Sequence, residues 1–127
     1  MKVLFDTSVL VAAMVEAHPS HRAALPWLKR AKAGQVAYVV SAHTLTELFS
    51  ILSTLPTSPR PTPAVARRLI RENVEAGARI VALSRRDYTV VLQELADLGL
   101  SGGIVYDALI ARAARKASVD KLLTLNP

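Results

Sequence analysis

The chain is 127 residues long, 51% hydrophobic and free of cysteine, and its 16 Lys and Arg against 10 Asp and Glu give a formal net charge of +6. This length predicts one domain with a hydrophobic core, and the absence of cysteine excludes disulfides and thiolate metal sites. The positive charge favours a nucleic-acid partner, since phosphate contacts dominate such binding, although many small basic proteins bind no nucleic acid.

The apolar segments are too short for a membrane protein. None reaches the roughly 18 uninterrupted apolar residues of a membrane span, and the first apolar run ends at Asp6, too early for the apolar region of a secretory signal. A chain without an export signal or disulfides is most simply cytoplasmic. We therefore expect a cytoplasmic protein with no membrane partner.

Short apolar segments alternate with amphipathic segments along the chain. Apolar and β-branched runs predict strands at residues 2–5, 36–40, 79–83 and 121–125. Capping residues and helical periodicity predict helices at residues 9–15, 22–33, 42–54, 64–76, 85–98 and 104–118. The proline-rich stretch 56–63 is interpreted as a surface loop, because too few residues flank it for two separate cores. We therefore expect residues 1–127 to form one domain.

The alternation of strands and helices predicts an α/β fold, with a mostly parallel sheet covered by helices on both faces. In such sheets, ligand sites lie at the carboxyl ends of the strands. Asp6 follows the first predicted strand, Glu47 lies on the helix after the second, and Asn126 follows the fourth. The pattern does not place Asp107 beside any strand.

Three acidic residues interrupt strongly apolar segments. Asp6 follows the run 2–5, Glu47 lies within 45–49, and Asp107 lies within 104–110. A buried carboxylate is costly unless it is paired or binds a metal, and carboxylates that converge from distant segments make the oxygen-rich site that Mg²⁺ or Mn²⁺ prefers. We therefore predict a metal-dependent enzyme acting on phosphate esters, with these three side chains as metal ligands and catalytic groups.

Each of the three carboxylates also has a purely structural interpretation. Asp6 can cap the helix that follows it. Glu47 can close a capping box with Thr44. Asp107 can interact with the positive end of its own helix dipole. The residues alone leave these alternatives open.

Other acidic residues have ordinary explanations, and common nucleotide-binding motifs are missing. The pairs Arg68–Glu72 and Arg71–Glu75 have i,i+4 spacing on one predicted helix, and Asp87 has the position of a capping-box residue. The sequence contains no Walker A loop, no dinucleotide fingerprint and no Gly-x-Ser-x-Gly elbow.

Four ordered segments that span nearly the whole chain resemble one family. They are residues 3–8 (VLFDTS), the spacing Ser41-x-x-Thr44-x-x-Glu47, residues 106–113 (YDALIARA) and residues 122–126 (LLTLN). Each segment is loose by itself, but the ordered set is similar to the PIN-domain family, and specifically to the VapC-type toxins of bacterial and archaeal toxin–antitoxin pairs.

The resemblance implies a three-layer α/β/α sandwich and Mg²⁺- or Mn²⁺-dependent cleavage of RNA. Asp6, Glu47 and Asp107 fall on the acidic positions of the family. By the same resemblance, Thr7 or Ser8 would orient the first carboxylate, and Thr124 would do similar work at the last strand. Family members commonly form dimers and are held inactive by a cognate antitoxin, so we expect RNA, an antitoxin and a second copy as partners.

Two features depart from the family pattern. Asn126 stands where the family often has a fourth aspartate, and it keeps an oxygen atom but contributes no charge. Family chains also usually continue beyond the position of Pro127, so a short C-terminal tail with a further ligand is left open.

We expect basic side chains outside the site to bind the RNA backbone. The candidates are Arg67, Arg68, Arg71, Arg85, Arg112, Arg115 and Lys116, each of which also fits a solvated helix face. Two other classes of function stay open: a PIN-like module that binds RNA or protein without catalysis, and a phosphohydrolase that forms an aspartyl phosphate. The second class requires another Asp two residues after Asp6, where this chain has Ser8.

Overall fold

The structure, a computed structural model, describes residues 1–126 of the chain. Over these residues the chain forms four strands and six α-helices. In chain order they are β1 (Lys2–Phe5), α1 (Thr7–Met14), α2 (His21–Lys32), β2 (Ala37–Ser41), α3 (Ala42–Leu52), α4 (Pro63–Ile70), β3 (Arg79–Val81), α5 (Arg85–Asp97), α6 (Ile104–Lys116) and β4 (Lys121–Leu123). A π-helical turn, Arg71–Glu75, continues α4 toward β3. None of the helices within residues 1–126 is both long and apolar enough to cross a lipid bilayer.

The strands form one parallel sheet with the spatial order β3-β2-β1-β4. From β1 the chain moves outward through β2 to β3, and it then crosses to the far side of β1 to form β4. The direction of winding therefore reverses at β1, which makes the crevice beyond the carboxyl end of β1 the expected ligand site. The prediction of an α/β fold with a parallel sheet is confirmed.

Helices cover both faces of the sheet, as a three-layer sandwich requires. On one face, Val3 and Phe5 of β1 pack among helices α1 to α4. On the other face, Leu4 packs against Ala113 and Ala117 at the end of α6. Successive strand residues point to opposite faces, so β1 is buried on both sides. Val3, Leu4 and Phe5 each contribute roughly 1.5–3 kcal/mol to stability by leaving water.

The last two strands are shorter than the sequence predicts. β3 ends at Val81 and β4 ends at Leu123, two residues before the predicted ends in each case. The residue after β4, Thr124, donates its hydroxyl to Asp6.

The predicted helix 64–76 changes its winding midway. Its second half is π-helical, with wider turns than an α-helix. Residues four apart no longer align there, so the predicted Arg71–Glu75 pair is wrong, and Glu75 pairs with Arg67 instead. The predicted Arg68–Glu72 pair is present, with 3.9 Å between its charged atoms.

Candidate functional site

Asp6 lies at the carboxyl end of β1, where the winding of the sheet reverses. It is the N-cap residue of α1 and is only 8% exposed. Its Oδ1 accepts the backbone N–H of Thr7 at 2.8 Å, and its Oδ2 accepts the hydroxyls of Ser8 at 3.1 Å and Thr124 at 2.8 Å. Asp6 therefore caps a helix and also stands at the edge of the sheet where a ligand is expected.

Thr7 links two of the predicted carboxylates. Its backbone N–H donates to Asp6, while its hydroxyl oxygen lies 3.0 Å from Oε1 of Glu47 and 3.1 Å from the hydroxyl oxygen of Thr44. The family resemblance implied that Thr7 or Ser8 orients Asp6. The structure adds that the side chain of Thr7 reaches the second carboxylate.

Glu47 lies inside α3 and not at its start. The helix begins at Ala42, so Thr44 and Glu47 do not form a capping box, and this structural alternative is wrong. The side chain of Glu47 is 41% exposed, and Nε2 of His43, one turn earlier, lies 3.6 Å from Oε1 of Glu47.

The apolar sequence around Glu47 and Asp107 does not mean that these side chains are buried. Asp6 is buried, whereas Glu47 is partly exposed and Asp107, in the first turn of α6, is exposed. Leu48 on α3 and Ala113 on α6 are buried instead. The expectation of three buried carboxylates is therefore correct only for Asp6, because helices α3 and α6 each turn an apolar face to the core and a polar face away from it.

All three predicted carboxylates line one cavity at the carboxyl end of β1. A cavity of about 250 Å³ is bordered by Asp6, Glu47 and Asp107, together with Asn126 and other side chains of α1, α3 and α6. A smaller cavity of about 150 Å³ shares Asp6, Asp107 and Asn126 with it and adds Thr124. The fold thus brings Asp107, which the sequence could not place beside a strand, to the same opening as Asp6.

The segment after β4 is hydrogen-bonded to the start of α1. The Leu125 N–H donates to the hydroxyl of Ser8 at 3.0 Å, and the Asn126 N–H donates to the hydroxyl of Thr124 at 3.0 Å. Both hydroxyls donate in turn to Asp6. These contacts hold Asn126 at the rim of the cavity.

The donor groups of this cavity suit a hard cation, although they are not drawn together into a three-ligand cluster. As the side chains of residues 1–126 stand, no three Asp, Glu, His or Cys residues lie close enough to ligate one ion. Within the same residues, no Lys or Arg forms an ion pair with Asp6, Glu47 or Asp107. The site thus offers carboxylate, hydroxyl and amide oxygens without a Lys or Arg counterion within residues 1–126, which is the chemistry that Mg²⁺ and Mn²⁺ prefer.

Comparison with known proteins identifies the family of the chain. A family model described as PIN domain matches residues 3–127. The chain belongs to the PIN-domain family. Ribonuclease VapC27 of Mycobacterium tuberculosis is 36% identical to it over 109 residues, which are 86% of this chain and 74% of the relative. Ribonuclease VapC40 of the same organism is 33% identical over 119 residues, which are 94% of this chain and 82% of the relative.

Solved structures share the fold of this PIN domain at low sequence identity. The crystal structure of Mycobacterium tuberculosis VapC20, a Sarcin-Ricin loop cleaving toxin, has a TM-score of 0.71 at 19% identity and covers 98% of this chain and 90% of its own. The structure of VapBC2 from Rickettsia felis bound to a DNA fragment from their promoter has a TM-score of 0.63 at 22% identity and covers 99% and 88%. These likenesses support the architecture.

Sequence reasoning missed one residue at the site of this PIN domain. Thr44 is completely buried, and its hydroxyl contacts that of Thr7. The signal was present in the spacing Ser41-x-x-Thr44-x-x-Glu47, because residues three apart share a helix face. The sequence could not show that this face of α3 meets the start of α1.

A second buried carboxylate of the PIN domain, Asp87, lies outside the cavity. It forms the predicted capping box with Ser84 at the start of α5. Its oxygens also accept hydrogen bonds from two side chains of α6, Nζ of Lys116 at 2.8 Å and Nε of Arg112 at 2.9 Å. Hydrogen bonds from Lys116, from the Ser84 N–H and from Arg112 hold the pKa of Asp87 far below its usual value. Two of the predicted RNA-binding cations, Arg112 and Lys116, are therefore used inside the domain.

Proposed function

We propose that this PIN domain, residues 1–127, is a metal-dependent endoribonuclease that cleaves RNA phosphodiester bonds and is the toxin of a toxin–antitoxin pair. The observation that carries the proposal is the cavity at the carboxyl end of β1, which Asp6, Glu47 and Asp107 line together. Two relatives that are at least 33% identical over most of the chain are named ribonucleases, and this supports RNA as the substrate.

In this proposal Asp6, Glu47 and Asp107 hold Mg²⁺ or Mn²⁺, and the side-chain oxygen of Asn126 assists them. A divalent ion held by these residues would lower the pKa of a water molecule and would polarise the scissile phosphate. The cavity meets the chemical requirement for such an ion, because its carboxylates have no Lys or Arg partner within residues 1–126.

The hydroxyl groups of the chain keep the carboxylates in place. Ser8 and Thr124 donate to one oxygen of Asp6, and the Thr7 N–H donates to the other. Neutral donors orient the carboxylate without cancelling its charge, so Asp6 stays available to a cation. This support matters because ligands that are held by outer hydrogen bonds bind a metal more tightly.

Positively charged side chains are the proposed contacts to the RNA backbone. Of the seven candidates, Arg112 and Lys116 pair with Asp87, and the α4 arginines pair with Glu75 and Glu72. The remaining candidates form no ion pair within residues 1–126, and they are Arg71, Arg85 and Arg115. We therefore propose that these three carry most of the contact to phosphates.

Two protein partners belong to the proposal. A ribonuclease toxin requires an inhibitor in the cell that makes it, so we propose a cognate antitoxin that covers the cavity. We also propose a homodimer, in keeping with the family. The site of action would be the cytoplasm, where cellular RNA is accessible.

Cleavage of a total-RNA pool tests the proposed activity. The purified protein is incubated with the RNA with and without Mg²⁺ or Mn²⁺, and the new 5′ ends are mapped. Asp6→Asn and Asp107→Asn should abolish the metal-dependent fragments. Asp97→Asn is a matched control, because Asp97 is exposed at the end of α5 and lies outside both cavities.

A PIN domain that binds RNA or protein without cutting it is the second candidate function. The observation that favours it is the lack of a ready three-ligand cluster among residues 1–126. Folded protein that binds RNA but produces no fragments with either metal would support this candidate. Metal-dependent fragments that disappear with Asp6→Asn would eliminate it.

A further inference from the structure

The hydroxyl of Thr44 is buried and has one side-chain hydrogen-bond partner within residues 1–126, the hydroxyl of Thr7. Thr44 lies on α3 with none of its surface exposed, one helical turn before Glu47. Its hydroxyl oxygen lies 3.1 Å from the hydroxyl oxygen of Thr7. No buried side-chain oxygen or nitrogen of residues 1–126 lacks a hydrogen-bond partner, so this contact is what satisfies Thr44.

Counting protons fixes the direction of this contact. Thr7 has one hydroxyl proton, but its oxygen lies within hydrogen-bonding distance of both Thr44 and Glu47. An ionised carboxylate only accepts hydrogen bonds, so the proton of Thr7 goes to Glu47. Thr44 must then donate to Thr7. The result is a chain of two hydrogen bonds that runs from the core to the carboxylate.

We propose that Thr44 is a positioning residue that acts through Thr7 to set the orientation of Glu47 for metal binding. By donating to Thr7, the buried hydroxyl of Thr44 turns the Thr7 proton toward Oε1 of Glu47. The other carboxylate oxygen, Oε2, has no hydrogen-bond or ion-pair partner within residues 1–126 and stays free for a ligand. The inference rests on the proposed function, since it assumes that Glu47 is a metal ligand.

Thr7, the middle residue of these two hydrogen bonds, also connects the carboxylates of Asp6 and Glu47. Thr7 donates its backbone N–H to Asp6 and its side-chain proton to Glu47. A change in the rotamer of Thr7 would therefore release Glu47 while leaving the backbone contact to Asp6 intact. Thr44 prevents that change, because an alternative rotamer of Thr7 would leave the buried hydroxyl of Thr44 without an acceptor, which is costly.

The competing explanation is that Thr44 only fills space in the core. Thr44→Val separates the two explanations, because valine has nearly the shape of threonine and lacks the hydroxyl. Thr44→Ser keeps the hydroxyl and should restore function. Thr46→Val is the matched control, since Thr46 lies on the same helix and is exposed, and its hydroxyl donates to the backbone of His43.

Three measurements are made on each variant. The side-chain rotamer of Thr7 is read from methyl couplings in NMR spectra without metal, Mn²⁺ affinity is measured by titration, and kcat and KM are measured on an RNA oligonucleotide. For Thr44→Val we expect several Thr7 rotamers, and Mn²⁺ affinity and kcat each lower by about 10-fold, the lower end of the effect of losing an outer hydrogen bond to a metal ligand, because Thr44 acts on Glu47 only through Thr7. KM for RNA should not change, because Thr44 is buried beneath the site.

Wild-type Mn²⁺ affinity and a single Thr7 rotamer in folded Thr44→Val would overturn the inference. Should the valine variant fail to fold, Thr44→Cys replaces it, because its thiol is only a weak donor, and wild-type affinity in that variant would count equally against Thr44. The rotamer and the Mn²⁺ affinity do not depend on RNA cleavage. The wild-type protein could therefore cut no RNA while Thr44→Val loses both the single Thr7 rotamer and the Mn²⁺ affinity. That result would reject the proposed ribonuclease and keep the role of Thr44.

Discussion

Asp6 and Asp87 are both buried carboxylates at the start of a helix, but their surroundings differ in charge. Asp6 is 8% exposed before α1, and Asp87 is 5% exposed in the first turn of α5. Asp87 pairs with Lys116 and Arg112. Asp6 accepts hydrogen bonds from one backbone N–H and two hydroxyls.

The difference lies in how the fold compensates each buried charge. Removing a charge from water is costly unless another charge or strong hydrogen bonds compensate for it. Asp87 obtains its compensation from cations on α6 and joins that helix to α5. Asp6 obtains only neutral donors within residues 1–126, and the proposed function assigns its remaining negative charge to a divalent ion.

The largest effect should come from Asp6→Asn. Asparagine keeps an oxygen for the Thr7 N–H but removes the charge that a metal needs. We expect RNA cleavage to fall by about a thousandfold or more, which corresponds to roughly 4 kcal/mol of transition-state stabilisation. The urea midpoint of unfolding should change little, because the loss of a buried charge offsets the loss of the two hydroxyl hydrogen bonds that an amide NH2 cannot accept. A variant that unfolds more easily and still cleaves RNA would reverse the comparison.

Asp87→Asn should have the opposite pattern. It leaves Arg112 and Lys116 without their carboxylate, so we expect a lower urea midpoint with an unchanged m-value. Cleavage per folded molecule should remain close to wild type when it is measured well below the unfolding transition. Loss of cleavage in a fully folded Asp87→Asn protein would show that this network also shapes the active cavity.

The pH dependence of stability should report Asp87. Its pKa is lower in the folded protein than in the unfolded chain, where an Asp titrates near 3.9. The folded state therefore holds fewer protons at low pH, and the stabilisation is complete above about pH 4 and declines as the pH falls toward the lowered pKa. Urea unfolding between pH 5 and 2, at roughly half-unit steps, should show a steeper loss for wild type than for Asp87→Asn. Equal slopes would mean that Asp87 is not preferentially ionised in the fold.

The smallest effect should distinguish Arg115 from Arg112. Arg115 is exposed on α6 and forms no ion pair within residues 1–126, whereas Arg112 on the same helix pairs with Asp87. Arg115→Gln should reduce the slope of log K against log salt for RNA binding by about one if it touches a phosphate. Arg112→Gln should leave that slope unchanged and lower the urea midpoint. If the two variants exchanged these effects, our assignment of the two cations would be wrong.

Much of this architecture could be predicted because it depends on local pattern. The apolar run of β1 and the position of Asp6 after it follow from a few neighbouring residues, and the parallel sheet follows from the alternation of strands and helices. The fold then brings Asp107 to Asp6 across about a hundred residues of sequence, and the resemblance to a family, rather than periodicity, anticipated that pairing.

The parts that could not be predicted depend on which helix faces meet. The burial of Thr44 requires knowing that α3 packs beside the start of α1, and the use of Arg112 and Lys116 requires knowing that α6 packs beside α5. The pairing of Glu75 changed because one turn of helix adopts π winding. Each of these outcomes is set by tertiary packing, which residue spacing along one element does not contain.

The hydrogen bonds between residues 124–126 and the start of α1 have a consequence for synthesis of the protein. Asp6 is made early, but its hydroxyl partner Thr124 and the cavity residue Asn126 come 118 and more residues later. β4, which pairs with β1 and precedes this segment, is the last of the four strands within residues 1–126 to emerge from the ribosome. A nascent chain therefore cannot assemble the complete cavity while these residues remain in the exit tunnel, so the proposed active site is completed only after residues 121–126 have left the ribosome.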